Sequence, residues 1–562
     1  MTRFVPVVAA FSLLGCATAP AAPSAPTTGM VAAANPLAVE AGLRVLREGG
    51  SAVDAAVAVQ AVLGLVEPQS SGLAGGAFMT FYDAQSRRVT AYNGRETAPA
   101  GATPDMFTGP DGRLLSPPQA ILSGRSTGVP GAVAMLSMAQ AEHGRRPWAS
   151  LFADAERLAD QGFVVSPRLA GMITSRAPQS AAPDVIAYFS KLDGAKYKAG
   201  ETLHNPDYAA TVRKIAAEGP RAILQGPIAA AIVARLGQGP LPGTMTLADL
   251  ASYRPKSTAA LCRPYRVYIV CTPPAPSGGP AVLQGLGILE RTDIATRGPD
   301  DPQAWYLFSQ ASRLMYADRD RYMGDPDFVD VPTEGLLEPA YLDQRAKLIA
   351  PSAGAPPQPG KPRGAGARAP DATVEPDGTS HFVVVDRWGD VVSMTTTVES
   401  IFGSGRMVGG MFLNNQLTDF SYAAKNADGV PAANAVGPRK RPRSSMAPAV
   451  VLNRDRRFVA AVGSPGGPAI LAYNLKALVG LLDWKLSIQQ AIDLPNLVSR
   501  GTFYAAEVDK FAPGVVSGLA DRGVTLRSGG GAEGSGLHGV VATPTGLRGA
   551  ADPRREGVAR QP

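Results

Sequence analysis

Thr379 stands where a turn gives way to a strand. Residues 377–397 read Asp-Gly-Thr-Ser-His-Phe-Val-Val-Val-Asp-Arg-Trp-Gly-Asp-Val-Val-Ser-Met-Thr-Thr-Thr. The β-branched runs from Phe382 to Val385 and Val391 to Thr397, parted by Trp388-Gly389-Asp390, predict two strands joined by a tight turn. A glycine before Thr379 tolerates a strained backbone. Cutting the Gly378–Thr379 bond would make Thr379 a chain terminus whose hydroxyl is a nucleophile and whose own α-amine is the adjacent base. Taken alone, a threonine in such a turn is ordinarily a turn residue, so support for this chemistry has to come from the rest of the chain.

Other residues could contribute. Arg95 lies at the end of a strand, in Asn93-Gly94-Arg95-Glu96-Thr97, as a surface ion-pair partner or a carboxylate clamp. Gly463-Ser464-Pro465-Gly466-Gly467 opens a helix expected to reach about Leu482, and a glycine pair there points free N–H groups at an anion or an oxyanion. Gly124-Arg125-Ser126-Thr127-Gly128 fits the serine-hydrolase elbow G-x-S-x-G. Chance supplies that pattern readily in a chain with 62 glycines, and Pro130 interrupts the helix an elbow needs. Four scattered histidines (His143, His204, His381, His538) show no ligand spacing with the cysteines, so no metal site is expected. No cofactor is expected either. Cys262 and Cys271 flank one short segment, and in an exported protein such a pair staples two adjacent strands as a disulfide.

These residues need a sizeable scaffold. The chain has 562 residues, 45% hydrophobic and 18% charged, an ordinary globular composition with room for one large α/β unit or more. Its net charge of +7 is spread out, the densest cluster being Arg439 to Arg443, so no nucleic-acid partner is expected. Asn35 is positioned to cap a helix from Pro36 that stops at Gly49-Gly50, and Ser51 to cap an apolar, buried helix from Ala52 to about Leu65. A strand follows from Ala77 to Tyr82, returning through Arg88 to Tyr92. Helical patterns dominate from about 131 to 250; further helices are predicted near 281–290 and 304–321. Residues 351–378 are rich in Pro, Gly and Ala and read as a flexible tail. Strands 449–452 and 458–462 lead to Gly466-Gly467.

The start of the chain reads as an export signal. Arg3 precedes an apolar run from Phe4 to Leu14 and then Gly15-Cys16, too short to span a membrane as a helix. Leu13-Leu14-Gly15-Cys16 resembles a bacterial lipoprotein box, which implies a lipid on Cys16 and, with Ala17 next, the outer membrane. Residues 1–16 are then a signal and 17–28 a flexible linker. The expected location is the periplasm, with membrane contact only through this anchor.

The ordered blocks Gly-Thr-Ser-His, Asn414-Asn415-Gln416-x-x-Asp419-Phe420, Lys440-Arg441-Pro442-x-Ser444-Ser445-Met446 and Gly-Ser-Pro-Gly-Gly resemble the γ-glutamyltranspeptidase family of N-terminal nucleophile hydrolases. So do Ser71 to Gly76, Gly94 to Pro99 and Ala317 to Phe328. The likeness runs from about Gly29 to Arg555, and multiple ordered matches of this kind are specific. It implies an α/β (α+β) fold, a four-layer αββα sandwich. It implies a precursor that cuts itself before Thr379 into a large subunit (29–378) and a small catalytic one (379–562), which form a heterodimer. It also implies a γ-glutamyltransferase or glutathione hydrolase that passes the γ-glutamyl group of glutathione or γ-glutamyl amides to water, an amino acid or a dipeptide. Carried over by position, Thr397 orients the nucleophile and the N–H groups of Gly466 and Gly467 hold the oxyanion. Arg95 clamps the substrate α-carboxylate with Ser444 and Ser445, and Asp419 pairs with the α-ammonium beside Gln416 and Glu399.

The chain departs from the family pattern at several points. Ser380 replaces a commoner threonine, Glu399 stands where many members carry asparagine, and Arg443 occupies a usually apolar position. Two alternatives stay open: a cephalosporin or glutaryl acylase of the same family, and a non-catalytic lipoprotein that binds γ-glutamyl peptides.

Overall fold

The computed structural model describes residues 28–239, 241–371, 373, 375–529 and 534–562. The expected signal and linker, with Cys16, lie outside these residues apart from Thr28.

Two antiparallel sheets form the centre. The first has seven strands: β1 (Met30–Ala33), β2 (Gly76–Asp83), β3 (Arg88–Asn93), β4 (Lys256–Ala259), β7 (Ser380–Val385), β8 (Val391–Thr397) and β13 (Val558–Arg560). Their spatial order is β13-β1-β7-β8-β2-β3-β4. The second sheet contains β5 (Leu261–Tyr265), β6 (Tyr268–Thr272), β9 (Ala449–Asn453), β10 (Phe458–Gly463), β11 (His538–Thr543) and β12 (Gly546–Ala551), in the order β12-β11-β10-β9-β6-β5. Cys262 and Cys271 face each other across β5 and β6 and are joined by a disulfide.

Side-chain alternation explains the layering. On β7, Phe382 and Val384 enter one apolar cluster while Val383 and Val385 enter another. Both faces of the strand are therefore buried, and an apolar run with period two satisfies both. The inner faces of the sheets meet through Met30, Ala32, Val383, Val385, Val450, Ala461 and Val540. Outside the first sheet pack α1 (Pro36–Arg47) and α2 (Ala52–Val66). Outside the second pack α3 (Gly279–Glu290), α4 (Pro302–Tyr322) and α5 (Ile470–Leu482). The result is a four-layer αββα sandwich.

Local chemistry sets the element ends. The Asn35 side chain accepts from the Leu37 N–H, and Ser51 and Asp54 form a reciprocal capping box that satisfies two otherwise orphaned donors. Every residue of α2 is buried, as its uniformly apolar sequence requires. One boundary differs from expectation: Gly467–Ala469 forms a single 3₁₀ turn and α5 begins only at Ile470. The described residues of 351–378 form no helix or strand. The end of the segment is nonetheless packed, since Asp371 and Glu375 are buried among arginines.

Candidate active site

Thr379 leads into β7 from the edge of the sandwich, and its backbone is strained. Its φ is +88°, a region a β-branched residue rarely enters. Its surroundings fix that conformation. The Thr379 N–H donates to the Ser70 carbonyl at 3.0 Å, and the Gly466 N–H donates to the Gly378 carbonyl at 3.2 Å. Arg555 Nη1 donates to the Thr379 carbonyl at 2.9 Å. A Cβ on Gly378 would lie 1.7 Å from the Glu399 carbonyl oxygen, so only glycine fits. The Thr379 hydroxyl donates to Thr397 Oγ1 at 2.9 Å, and the Glu399 N–H donates to that same oxygen at 2.8 Å. Thr397 is the last residue of β8, the neighbour of β7, so sheet pairing itself brings the two hydroxyls together. Gly466 has φ +123° and Gly467 φ +52°, conformations open to residues without a Cβ.

Arg95 and Asp419 meet directly across a separation of 324 residues. Arg95 is 1% exposed; its guanidinium also donates to the carbonyls of Arg443 at 2.6 Å and Pro442 at 3.2 Å. Gln416 Nε2 donates to Glu399 at 2.5 Å and to Asp419 at 2.8 Å. Burial, followed by the neighbouring Asp419 charge, pushes the Glu399 carboxyl well above the usual carboxylate range, because ionisation would put two adjacent anions in a dry site. Glu96, beside Arg95, is raised to about 8, chiefly by burial.

Ser444 and Ser445 part company. Ser444 Oγ accepts from the Met446 N–H at 3.1 Å. Ser445 Oγ accepts from Arg319 at 2.6 Å and donates to Glu375 at 3.0 Å. It therefore belongs to a second cluster of buried charge, Arg319, Arg443 and Glu375, to which the sequence assigned no function. Arg319 was visible only within the 317–328 block and Glu375 only as part of a tail. Thr379, Thr397, Arg95, Glu399, Asp419, Ser444, Ser445, Gly467 and Glu375 all line one small cavity of about 10 Å³, roughly the room for a single water.

A profile described as Gamma-glutamyltranspeptidase matches residues 38–561. The chain belongs to the γ-glutamyltranspeptidase family. It is 38% identical over 485 residues to the glutathione hydrolase proenzyme of Bacillus subtilis (strain 168), covering 84% of this chain and 80% of the relative. It is 36% identical over 539 residues to the glutathione hydrolase proenzyme of Escherichia coli (strain K12), covering 94% and 90%. Among solved structures it resembles a cephalosporin acylase from Bacillus halodurans with a TM-score of 0.83 and 25% identity, covering 98% of this chain and 99% of that one. Its fold is thus that of the N-terminal nucleophile hydrolases.

For a γ-glutamyltranspeptidase relative, the elbow-like motif has an ordinary structural role. Ser126 is fully buried in a 3₁₀ turn, and its hydroxyl is spent on the carbonyls of Ile121 and Ser123. Among the described residues, no group of three or more His, Cys, Asp or Glu is arranged to hold a metal ion.

Proposed function

We propose that this family member is a γ-glutamyltransferase or glutathione hydrolase that cuts its own precursor between Gly378 and Thr379. The reading rests above all on Thr379, a strained threonine whose hydroxyl sits on Thr397 and whose cavity also holds the Arg95–Asp419 pair. In the precursor, Thr379 Oγ1 attacks the Gly378 carbonyl and the Gly466 N–H stabilises the oxyanion. The C–N bond breaks with an N-to-O acyl shift, the hydroxyl proton passing to the departing Thr379 nitrogen, and water then hydrolyses the ester to leave a Gly378 carboxylate and a free Thr379 hydroxyl and amine. Relief of the Thr379 backbone strain favours the forward direction.

In the cut protein the free Thr379 amine takes the proton as its hydroxyl attacks the γ-carbonyl of the donor. The N–H groups of Gly466 and Gly467 hold the oxyanion, a contribution of about 3 to 4 kcal/mol per donor. The leaving amine recovers the proton, and water or an amino-acid amine then resolves the acyl-enzyme. The donor's α-carboxylate takes Asp419's place on Arg95, and its ammonium takes Arg95's place on Asp419, so each buried charge exchanges one partner for another. Glu399 and Gln416 complete the ammonium site.

The cephalosporin-acylase neighbour supports a second reading in which the acyl group lacks the α-amine; Asp419, Gln416 and Glu399 favour the first. Intact-mass analysis and N-terminal sequencing of the purified protein test the cut. A small chain beginning Thr-Ser-His-Phe supports it, and a single folded chain would leave the non-catalytic binding lipoprotein. Rates on γ-glutamyl and glutaryl amides separate the two acyl groups. For location we propose a lipid on Cys16 and anchorage at the outer membrane, with release into the soluble fraction on Cys16→Ala as the expected result.

A further inference from the structure

Arginines that are scattered along the sequence gather at one end of the sandwich. In the first sheet Met30 pairs with Val385, Val385 with Val391, Val391 with Tyr82 and Tyr82 with Val89. One row of residues thus crosses β1, β7, β8, β2 and β3, and the turns 84–87 and 386–390 project beyond it. The β9–β10 turn of the second sheet docks on the first of these. Arg87 Nη1 donates to the Asp455 carbonyl at 3.2 Å, Arg456 Nε to the Arg87 carbonyl at 3.2 Å, and the Tyr82 hydroxyl to the Arg456 carbonyl at 3.0 Å. The Ala84 N–H reaches the other turn, donating to Asp390 at 2.8 Å. Three turns far apart in the chain therefore make one surface.

That surface is one-sided in charge. Arg87, Arg88, Arg387, Arg454 and Arg456 are exposed and Arg457 is half-buried; none of the six forms an ion pair among the described residues. The carboxylates of the same turns are taken up by backbone donors. Asp83 accepts from the Ser86 N–H, Asp386 from the N–H groups of Ala52, Trp388 and Asp390, and Asp390 from Ala84. Burial also raises the Asp386 carboxyl to about 7, and of the four aspartates only Asp455 is exposed. Arg145 adds a cation stacked 3.8 Å from the centre of the Trp388 ring. Beside the turns runs an open groove of about 570 Å³, lined by Arg88, Arg263 and Arg456 together with Thr90, Ser257 and Thr258, and by no carboxylate among the described residues. Arg263 is paired with Glu334 from outside the groove.

The chain enters the fold at this same end, because Met30 belongs to the row that bears the turns. The stretch from Cys16 to Thr28 spans at most about 40 Å. Thr379 precedes the opposite end of β7, about 17 Å along the strand from Val385. We propose that the turns 84–88, 386–390 and 453–457 form a docking surface for an anionic phospholipid bilayer, whose headgroup phosphates are received by the exposed guanidinium groups and by the groove between Arg88 and Arg456. The inference rests on the lipid anchorage proposed above, which holds this end of the molecule beside a membrane. Guanidinium matches the geometry of phosphate, and each basic side chain at an anionic surface raises partitioning about fivefold. Docked in this way, the protein turns Thr379 away from the bilayer and toward soluble donors.

The test uses the mature chain without its lipid, residues 17–562, since the fold begins only at β1. In sedimentation at about 0.05 M salt, its partition coefficient on vesicles of mixed phosphatidylglycerol and phosphatidylcholine should exceed that on pure phosphatidylcholine at least tenfold. At about 0.5 M salt most of that excess should be screened away. The triple variant Arg88→Gln, Arg454→Gln, Arg457→Gln removes side chains that donate no hydrogen bond among the described residues. It should lower the coefficient on anionic vesicles at least tenfold with an unchanged melting temperature. The same loss of charge at exposed arginines outside the three turns, Arg113→Gln, Arg221→Gln and Arg527→Gln, should lower it less than threefold. Equal partitioning on both vesicle types, or equal losses in the two triple variants, would overturn the proposal. So would suppression of vesicle binding by millimolar glycerol phosphate, which would mark a discrete phosphate site in place of a surface. No lipidated protein enters these measurements, so they and the Cys16→Ala release experiment fail separately.

Discussion

Two clusters of buried charge flank the same threonine and differ in how their guanidinium groups are compensated. Arg95 is neutralised by Asp419, a residue that follows Thr379 in the chain together with its neighbours Gln416 and Glu399. Arg443 is neutralised by Asp371 and Glu375, which lie before it on the tail. Under the proposed cut after Gly378, the first cluster would keep its charges balanced. The second depends on carboxylates that the proposed cut after Gly378 would place near a free chain end. A buried ion pair is poor evidence for stability in general; here the placement of its carboxylates along the chain matters more than its strength.

Thr379→Ala removes the group that both reactions need, so no small chain should appear on a denaturing gel and turnover should fall by on the order of 10⁶-fold. The uncut variant also isolates the precursor state for the measurements below. A processed Thr379→Ala protein would sink the assignment outright.

Next comes the difference between the clusters. Asp419→Ala leaves Arg95 buried without its carboxylate and should cost about 3 to 5 kcal/mol of stability in cut and uncut protein alike. Glu375→Ala should cost a comparable amount in the uncut chain and markedly less after cleavage. Denaturant midpoints of the two forms measure both, and equal losses for Glu375→Ala in the two forms would remove the distinction.

A smaller effect is expected at Gly378. An alanine Cβ there would fall 1.7 Å from the Glu399 carbonyl and displace the scissile bond from Thr379. Time courses of precursor processing should slow about 10²-fold, the scale of a misplacement of about 1 Å.

The smallest effect is a pair of opposite pH dependences in the uncut Thr379→Ala chain. Glu375 is held below its ordinary value, so its contribution is present above the unfolded pKa and is lost as pH falls below about 4.5. Glu399 is held above its ordinary value, so its contribution is complete below about 4.5 and is lost as pH rises. Melting curves from pH 3 to 8 should therefore show the Glu375→Gln deficit growing up to about pH 4.5 and then levelling. Glu399→Gln should gain on its parent as pH rises above that point. Each slope is bounded by about 1.4 kcal/mol per pH unit for one proton.

Much of this arrangement was legible in the chain. The run from Phe382 to Val385 and the run from Val391 to Thr397 predicted β7 and β8 almost to the residue, because two-sided burial requires continuous β-branched and apolar residues. Asn35 and Ser51 predicted the starts of α1 and α2, since a cap acts through hydrogen bonds to the next few residues. The Thr379–Thr397 contact follows from that same hairpin. The tail from 351 to 378 was misjudged in part: its composition buries little apolar surface, yet Asp371 and Glu375 are buried by charge, to which a hydrophobicity argument is blind.

What the sequence determined by itself was local or repetitive: strand periodicity, helix caps, and the ordered blocks that mark the family. Only the tertiary structure decided which charges meet. Arg95 and Asp419 lie 324 residues apart and Arg319 and Glu375 lie 56 apart, and no local rule pairs them. Each pairing depends on how the sandwich layers and the loops at their edge converge on one cavity. In a dry site the nearest opposite charge dominates, so stacking of the layers fixed that neighbour for each guanidinium, and it gave Ser445 to the Arg319 cluster and Asp419 to Arg95.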